Sequence, residues 1–410
     1  MTSKITKNTS FSTANDLETK TKNTRKAASA STATPQSNTA TCLENSQNRP
    51  IIVFTGGGTG GHVYPNLALV PEFEKRGFCA VYVGGEGNTI ERKLARDAGI
   101  KYYAVPTIKL VRSMTIDGIK NNLKIPSTLK KSVEKANEIL AKIKPCCVFS
   151  KGGFVSLPVV LAASKTHIPV FAHESDLTMG LANKIAQLKG ATILKANPKS
   201  KFGGELVGMP LRDNLVYKDK TSARKTLGIN NPFKKPVLLV LGGSSGASAI
   251  NDAIVKNLKT LTTKYFVLHV SGKNKGSNVK SADYLRFEYA DDVALFYTAC
   301  DIVLSRAGAT SVFEISSIGK RAVFVPLPKG ASRGDQIYNA ELAKEFGATV
   351  LKQDSHFCDN LPRAIETAMQ NPSMKPINYD ANGKIADLVC AKLRRGEKCT
   401  NKKPSPNGLQ

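Results

Sequence analysis

Acidic residues are scarce in this chain: 32 Asp and Glu stand against 59 Lys and Arg, a formal net charge of +27. A deficit of that size points to an anionic partner, whether nucleic acid, an anionic membrane surface or a phosphorylated substrate. Aromatic residues are also few, at 7%, and no nucleic-acid-binding motif or aromatic stacking array accompanies the basic charge, so nucleic acid is set aside. The eight cysteines form no CxxC, and only Cys146 and Cys147 are neighbours. This excludes structural zinc of the usual spacing and dithiol redox chemistry, and it fits a reducing cytoplasm. No apolar run reaches the ~20 residues that span a bilayer, so any membrane contact is expected from the surface. A Gly-Lys-Ser/Thr sequence is missing too, which removes the nucleotide-triphosphate P-loop.

What is present begins at Pro50–Leu69, PIIVFTGGGTGGHVYPNLAL. An apolar β-branched run, Ile51 to Phe54, leads into Gly56-Gly57-Gly58-Thr59-Gly60-Gly61 and His62. Val63, Leu67 and Leu69 then follow at helical spacing. The stretch reads as buried strand, tight loop and helix start. Glycines let backbone N–H groups approach a ligand, and the helix N-terminus adds positive dipole, which suits a phosphate or other anion. Gly56, Gly58 and Gly61 satisfy GxGxxG, with Glu86 at about the distance of a ribose-binding acid in a dinucleotide site. That pattern alone is weak, and a purely structural glycine turn is the competing reading. His62 at the mouth of the loop is placed where a general base works.

Strands and helices alternate from Pro50 onward, and strand-end clusters recur at Lys151-Gly152-Gly153 and His173-Glu174-Ser175-Asp176. Repeated units of this kind predict a doubly wound parallel sheet with ligands at the carboxyl ends of its strands. After Val207-Gly208-Met209-Pro210-Leu211-Arg212 the pattern breaks, and residues 213–235 read as a polar linker. It then restarts with strand Pro236–Leu241 and a new glycine turn, Gly242 to Ala247, followed later by Ser305-Arg306-Ala307-Gly308-Ala309-Thr310. The expectation is therefore an α/β chain of two Rossmann-like domains, 50–212 and 236–395, joined by the linker. Residues 1–49, rich in Ser, Thr, Asn and Lys, are expected to be a disordered tail. They lack a secretory apolar segment. A transit peptide is the second reading, against which Asp16, Glu18 and Glu44 count. Residues 396–410 read as a basic tail.

With both glycine turns in view, seven motifs resemble those of the MurG family, the peptidoglycan N-acetylglucosaminyltransferases of glycosyltransferase family 28. They are TGGGTGGHVYPNLAL, SKGGFVS, HESDLTMGLANK, VGMPLR, LGGSSGA, SRAGATSVFE and ASRGDQIYNA, in order from about 50 to 370. The resemblance implies a GT-B fold, two Rossmann-like doubly wound domains facing across a cleft. It implies transfer of GlcNAc, with inversion, from UDP-GlcNAc to the 4-hydroxyl of MurNAc on undecaprenyl-diphosphate-MurNAc-pentapeptide. The family's substrate contacts fall on Thr59, Gly60, Gly61, Asp176, Arg212, Ser244, Ala290, Ala309, Thr310, Ser311, Val312, Phe313, Glu314 and Gln336. Of these, Glu314 is expected to hold both ribose hydroxyls, Ser244 the diphosphate, Gln336 the donor sugar and the Ala290 backbone the uracil. Arg212 offsets the diphosphate charge or caps the interdomain hinge. His62 falls on the family's proposed base, with Glu174 and Asp176 as competitors; Asp176 replaces an Asn of Gram-negative members. His173 reads as structural.

The chain contains no DxD, so no metal is expected to hold the diphosphate; backbone amides and helix dipoles take that role. A membrane patch is expected where Lys109 to Met114, Ile116, Ile119, Leu123 and Ile125 interleave with Lys120, Lys124, Lys130 and Lys131. In the family this region meets the anionic cytoplasmic leaflet, which places the protein peripherally on the cell membrane; a solvated basic helix is the plainer reading. Rival functions are another UDP-sugar GT-B enzyme such as a glycolipid synthase, a UDP-GlcNAc 2-epimerase, or a non-catalytic nucleotide-sugar-binding protein. NAD-dependent chemistry is a more distant class.

Overall fold

The computed structural model describes residues 49–107 and 125–396, apart from 233, 244–245, 274, 276–278, 330–333 and 377–379. Two parallel sheets organise them. The first has seven strands: β1 (Ile51–Thr55), β2 (Cys79–Gly85), β3 (Lys101–Val105), β4 (Cys147–Ser150), β5 (Val170–Glu174), β6 (Thr192–Lys195) and β7 (Glu205–Leu206). Their order is β3-β2-β1-β4-β5-β6-β7, every pair parallel. Crossovers run through α1 (Gly60–Lys75), α2 (Ile90–Asp97), α3 (Ile125–Ile143), α4 (Leu157–Lys165) and α5 (Leu181–Leu188). The central strands read as near-continuous apolar runs because helices cover both faces. In β1, Ile52 and Phe54 enter one core with Phe73 of α1, while Val53 enters the other with Ala136 and Leu140 of α3. Phe54 meets Phe73 and Phe149 with ring centroids 5.8 Å apart in each pair.

Between the sheets, α6 (Lys220–Thr226) interrupts the segment read as a linker. Its Ala223, with Leu215 and Leu227, packs into a core of the second domain, so much of 213–235 is domain wall rather than tether. The second sheet has six parallel strands in the order β10-β9-β8-β11-β12-β13. They are β8 (Val237–Leu241), β9 (Phe266–Val270), β10 (Tyr284–Phe287), β11 (Ile302–Arg306), β12 (Arg321–Val325) and β13 (Thr349–Val350). Its helices are α7 (Ser248–Lys256), α8 (Leu258–Lys264), α9 (Val293–Ala299), α10 (Ala309–Ser317), α11 (Asp335–Glu345) and α12 (Phe357–Gln370). This is the two-Rossmann-domain arrangement of a GT-B fold.

The last helix, α13 (Ala381–Arg394), expected within the second domain, packs back against the first. Ile385, Ala386 and Val389 join the core of the first sheet, with Ile52, Phe54 and Phe73. Asp380 caps the helix, accepting from Gly383 N at 2.9 Å. Asn382 accepts from Leu211 N at 3.2 Å and donates to Leu211 O at 2.8 Å, so it pairs with the hinge backbone as a neighbouring strand would. A small apolar cluster also bridges the domains: Ala196 and Met209 from the first, Phe313 and Leu342 from the second.

The segment expected to meet a membrane lies mostly outside the described residues, which there include only Ile125, Lys130 and Lys131. Among the described residues no helix is long and apolar enough to cross a membrane.

Candidate active site

The order of each sheet reverses beside its first strand, between β1 and β4 and again between β8 and β11. Such switch points open a crevice at the carboxyl ends of the strands. In the first domain the turn after β1 uses positive φ at Gly56 (146°) and Gly58 (80°). A Cβ on Gly58 would stand 2.6 Å from the Phe154 ring, so side chains are excluded there. Glu91 of α2 braces the turn from behind: its Oε2 accepts from Gly58 N at 3.2 Å and its Oε1 from Gly85 N at 3.3 Å. Glu86 is exposed and outside the cleft, contrary to its dinucleotide reading. Thr59 precedes α1, but its hydroxyl pairs with His62 Nδ1 at 2.9 Å instead of capping the helix. That bond sets the imidazole over Gly153, whose added Cβ would lie 3.5 Å from the ring.

The β5 end supplies the second cluster. Glu174 is buried, and both its oxygens are occupied. Oε1 accepts from Ser175 N (2.9 Å) and Asp176 N (3.1 Å), and Oε2 from Gly180 N (2.8 Å) and Asn183 Nδ2 (3.0 Å). A carboxylate so engaged shapes the turn, which weighs against the expected role as a competing base. Asp176 faces the second domain and accepts from Asn339 Nδ2 at 3.1 Å. Burial, reinforced by Glu174 and Asp335, pushes its carboxyl up to about 6. Lys151 lies buried at the end of β4, hydrogen-bonded to the Ser175 hydroxyl, and burial lowers its ammonium below the ordinary range. His173 pairs through Nε2 with Gly208 O at 2.9 Å, and burial depresses it well below an ordinary imidazole, in keeping with a structural role.

The opposing wall comes from the second domain. Gly242 and Gly243 follow β8 at the cleft; Ser244 lies outside the described residues. The N-terminus of α10 presents Ala309, Thr310 and Ser311, and Glu314 lies one turn further on. Glu314 Oε1 accepts from Arg212 Nη2 at 3.1 Å, and Oε2 from the Tyr297 hydroxyl at 3.2 Å. Burial raises its carboxyl, against the pull of Arg212. Arg212 in turn stacks on the Tyr64 ring, 4.5 Å from its centroid. Gln336, at the start of α11, accepts from Leu327 N at 3.0 Å.

Together these walls enclose a cleft of about 1510 Å³. It gathers Thr59, Gly60, Gly61, His62, Glu174, Asp176, Arg212, Ala290, Ala309, Thr310, Ser311, Glu314 and Gln336. The walls approach closely: a Cβ on Gly61 would sit 3.4 Å from Thr310 Oγ1. Two expected contacts do not line the cleft. Val312 is fully buried in the second-domain core, and Phe313 fills the interdomain cluster, because the α10 face carrying them points away from the cleft. Sequence reasoning missed Tyr64, Tyr297, Asp335 and Asn339 as lining residues and read Lys151 only as part of a glycine turn. Helix N-termini of α1, α7, α10 and α11 converge here, which suits an anionic ligand.

Residues 52–194 match the Glycosyltransferase family 28 N-terminal domain, and residues 237–388 match its C-terminal domain. The chain belongs to glycosyltransferase family 28. A family 28 relative from Clostridium perfringens is 40% identical over 347 residues, covering 82% of this chain and 95% of its own length. One from Lachnospira eligens is 40% identical over 355 residues, covering 82% and 98%. Both are named UDP-N-acetylglucosamine–N-acetylmuramyl-(pentapeptide) pyrophosphoryl-undecaprenol N-acetylglucosamine transferase. Among solved structures, Acinetobacter baumannii MurG aligns with TM-score 0.60 at 23% identity, covering 83% of this chain and 99% of its own. The UDP-GlcNAc 2-epimerase of Neisseria meningitidis, bound to UDP-GlcNAc, aligns with TM-score 0.61 at 14% identity, covering 85% and 100%. At those identities the two structures speak for the fold alone.

Proposed function

We infer that this family 28 protein transfers GlcNAc from UDP-GlcNAc to the MurNAc 4-hydroxyl of undecaprenyl-diphosphate-MurNAc-pentapeptide, in peptidoglycan synthesis. One observation carries the reading: 40% identity to enzymes of that name, across 95% of the Clostridium perfringens relative's length. The cleft supports it, because an imidazole from one domain faces a nucleotide-type pocket on the other.

In this reading Glu314 takes the ribose, the Ala290 backbone the uracil and Gln336 the donor sugar. Arg212 has a buried Nε with no partner among the described residues, which suits a diphosphate oxygen. His62 accepts the proton of the acceptor hydroxyl as that oxygen attacks the anomeric carbon from the face opposite UDP. The bond to the diphosphate oxygen breaks with inversion, and UDP leaves with the bonding pair. The Gly243 backbone amide and the α10 N-terminus stabilise the charge that develops there, without a metal. Asp176 lies near the donor sugar and is the second candidate base. The basic segment from Lys109 to Lys131 places the protein on an anionic cytoplasmic leaflet, each cation adding about 1 kcal/mol near such a surface.

The test is transfer of radiolabelled GlcNAc to a short-chain acceptor analogue, for the wild type beside His62→Ala, with EDTA in parallel. Transfer that survives EDTA and falls roughly 10²–10⁴-fold in the variant, with UDP-GlcNAc affinity unchanged, supports base and mechanism. Full activity in the variant moves the base to Asp176. UDP-GlcNAc binding without transfer by the wild type defeats the assignment, and acceptor-independent epimerisation replaces it with the epimerase.

A further inference from the structure

The two donors that hold Glu314 belong to different bodies. Arg212 follows the last strand of the first sheet and stacks on Tyr64 of α1. Tyr297 sits in α9 of the second domain, 1% exposed, and shares a core with Val312 and Ile315 of α10, the helix that carries Glu314. A change in cleft width moves Arg212 relative to the carboxylate and leaves Tyr297 where it is. Among the described residues the Tyr297 hydroxyl has one polar partner, Glu314 Oε2 at 3.2 Å. Burial and the neighbouring carboxylate raise this phenol well above its ordinary range, so it remains a donor at neutral pH.

We propose that Tyr297 is a positioning residue for the nucleotide, fixing the Glu314 carboxylate so that a lone pair on each oxygen meets the two ribose hydroxyls of UDP. An ionised carboxylate offers about four acceptor positions, and Arg212 and Tyr297 fill two of them. The remaining two match a pair of vicinal hydroxyls, both of which then donate. Without the phenol the buried carboxylate loses its permanent donor. Arg212 alone then holds it, from the first domain and through Oε1, and nothing among the described residues fixes Oε2 toward the second hydroxyl. The proposal rests on the placement of ribose at Glu314 given above.

The experiment is calorimetric binding of UDP and of 2′,3′-dideoxy-UDP to the full-length wild type and to Tyr297→Phe, with thermal unfolding of each. The wild type is expected to prefer UDP by about tenfold or more. In Tyr297→Phe, UDP affinity falls about tenfold while dideoxy-UDP affinity changes less than about twofold, so the preference collapses. In turnover KM for UDP-GlcNAc rises by the same factor and kcat holds. A Tyr297→Phe protein that keeps the full preference for UDP overturns the proposal and leaves ribose at Glu314 intact. A wild type without any preference overturns the ribose placement itself, and the proposal with it. Should Tyr297→Phe unfold, Tyr297→Met is read on the same two ligands with the same outcomes.

Discussion

Two buried glutamates look into the cleft from opposite domains, Glu174 and Glu314, each 6% exposed. Residue type and burial are the same, yet their surroundings differ. Glu174 accepts from three backbone amides and Asn183, which fills its acceptor positions. Among the described residues Glu314 accepts from only Arg212 and Tyr297. The first carboxylate is consumed in folding its own turn, and the second keeps acceptor capacity for a ligand. Counting internal donors separates a scaffold acid from a binding acid where burial does not.

The sharpest way to break this comparison is Glu174→Ala. It removes the acceptor of four donors, two of them in fully buried bonds, and the expected loss is on the order of 4 kcal/mol with transfer abolished, read by urea unfolding and the GlcNAc assay. Ordinary stability in this variant would mean that the four bonds do not hold the turn. Glu314→Gln sharpens the same contrast from the other side. KM for UDP-GlcNAc should rise roughly 10–100-fold, while stability falls much less than in Glu174→Ala.

A smaller effect tests Asp176, the neighbour of the filled carboxylate. Its folded carboxyl, at about 6, lies above the ordinary 3.8. Stability from its protonated form is therefore complete below about pH 4 and is lost as pH rises through about 6. Asp176→Asn should match the wild type near about pH 4 and exceed it above about pH 6. Melting curves across that range check the sign; a constant difference would refute it. Smallest of all, Asn183→Ala removes one of the four donors to Glu174 together with its bond to His173 O, and should cost about 2 kcal/mol.

Much of this was legible beforehand. Glycine turns announce themselves because positive φ at Gly56, Gly58, Gly152 and Gly153 admits little else. The restart at Pro236 fixed the two-sheet layout. Glu174 could not be told from a base, since three of its four donors are backbone amides and leave no trace in residue identity. Likewise Tyr297 gave no signal: an aromatic within Val293–Ala299 reads as core, and its hydroxyl acquires meaning only through Glu314, 17 residues on. The helix Lys220–Thr226 escaped because it buries only Ala223 of its seven residues. Val312 and Phe313 share one contiguous motif with Thr310 and Glu314, and helical geometry turns them inward.

The helix Ala381–Arg394 has a consequence in time. A chain emerging from the ribosome displays residues 50–212 long before Ile385, Ala386 and Val389 exist to cover the flank of Ile52, Phe54 and Phe73. Domains ordinarily complete in the order of synthesis, but here the half made first is sealed last. Asn382 reaches the hinge at Leu211 in that same event. Until translation has nearly ended, then, the first sheet keeps an open apolar flank, and the backbone at Leu211 lacks its Asn382 partner.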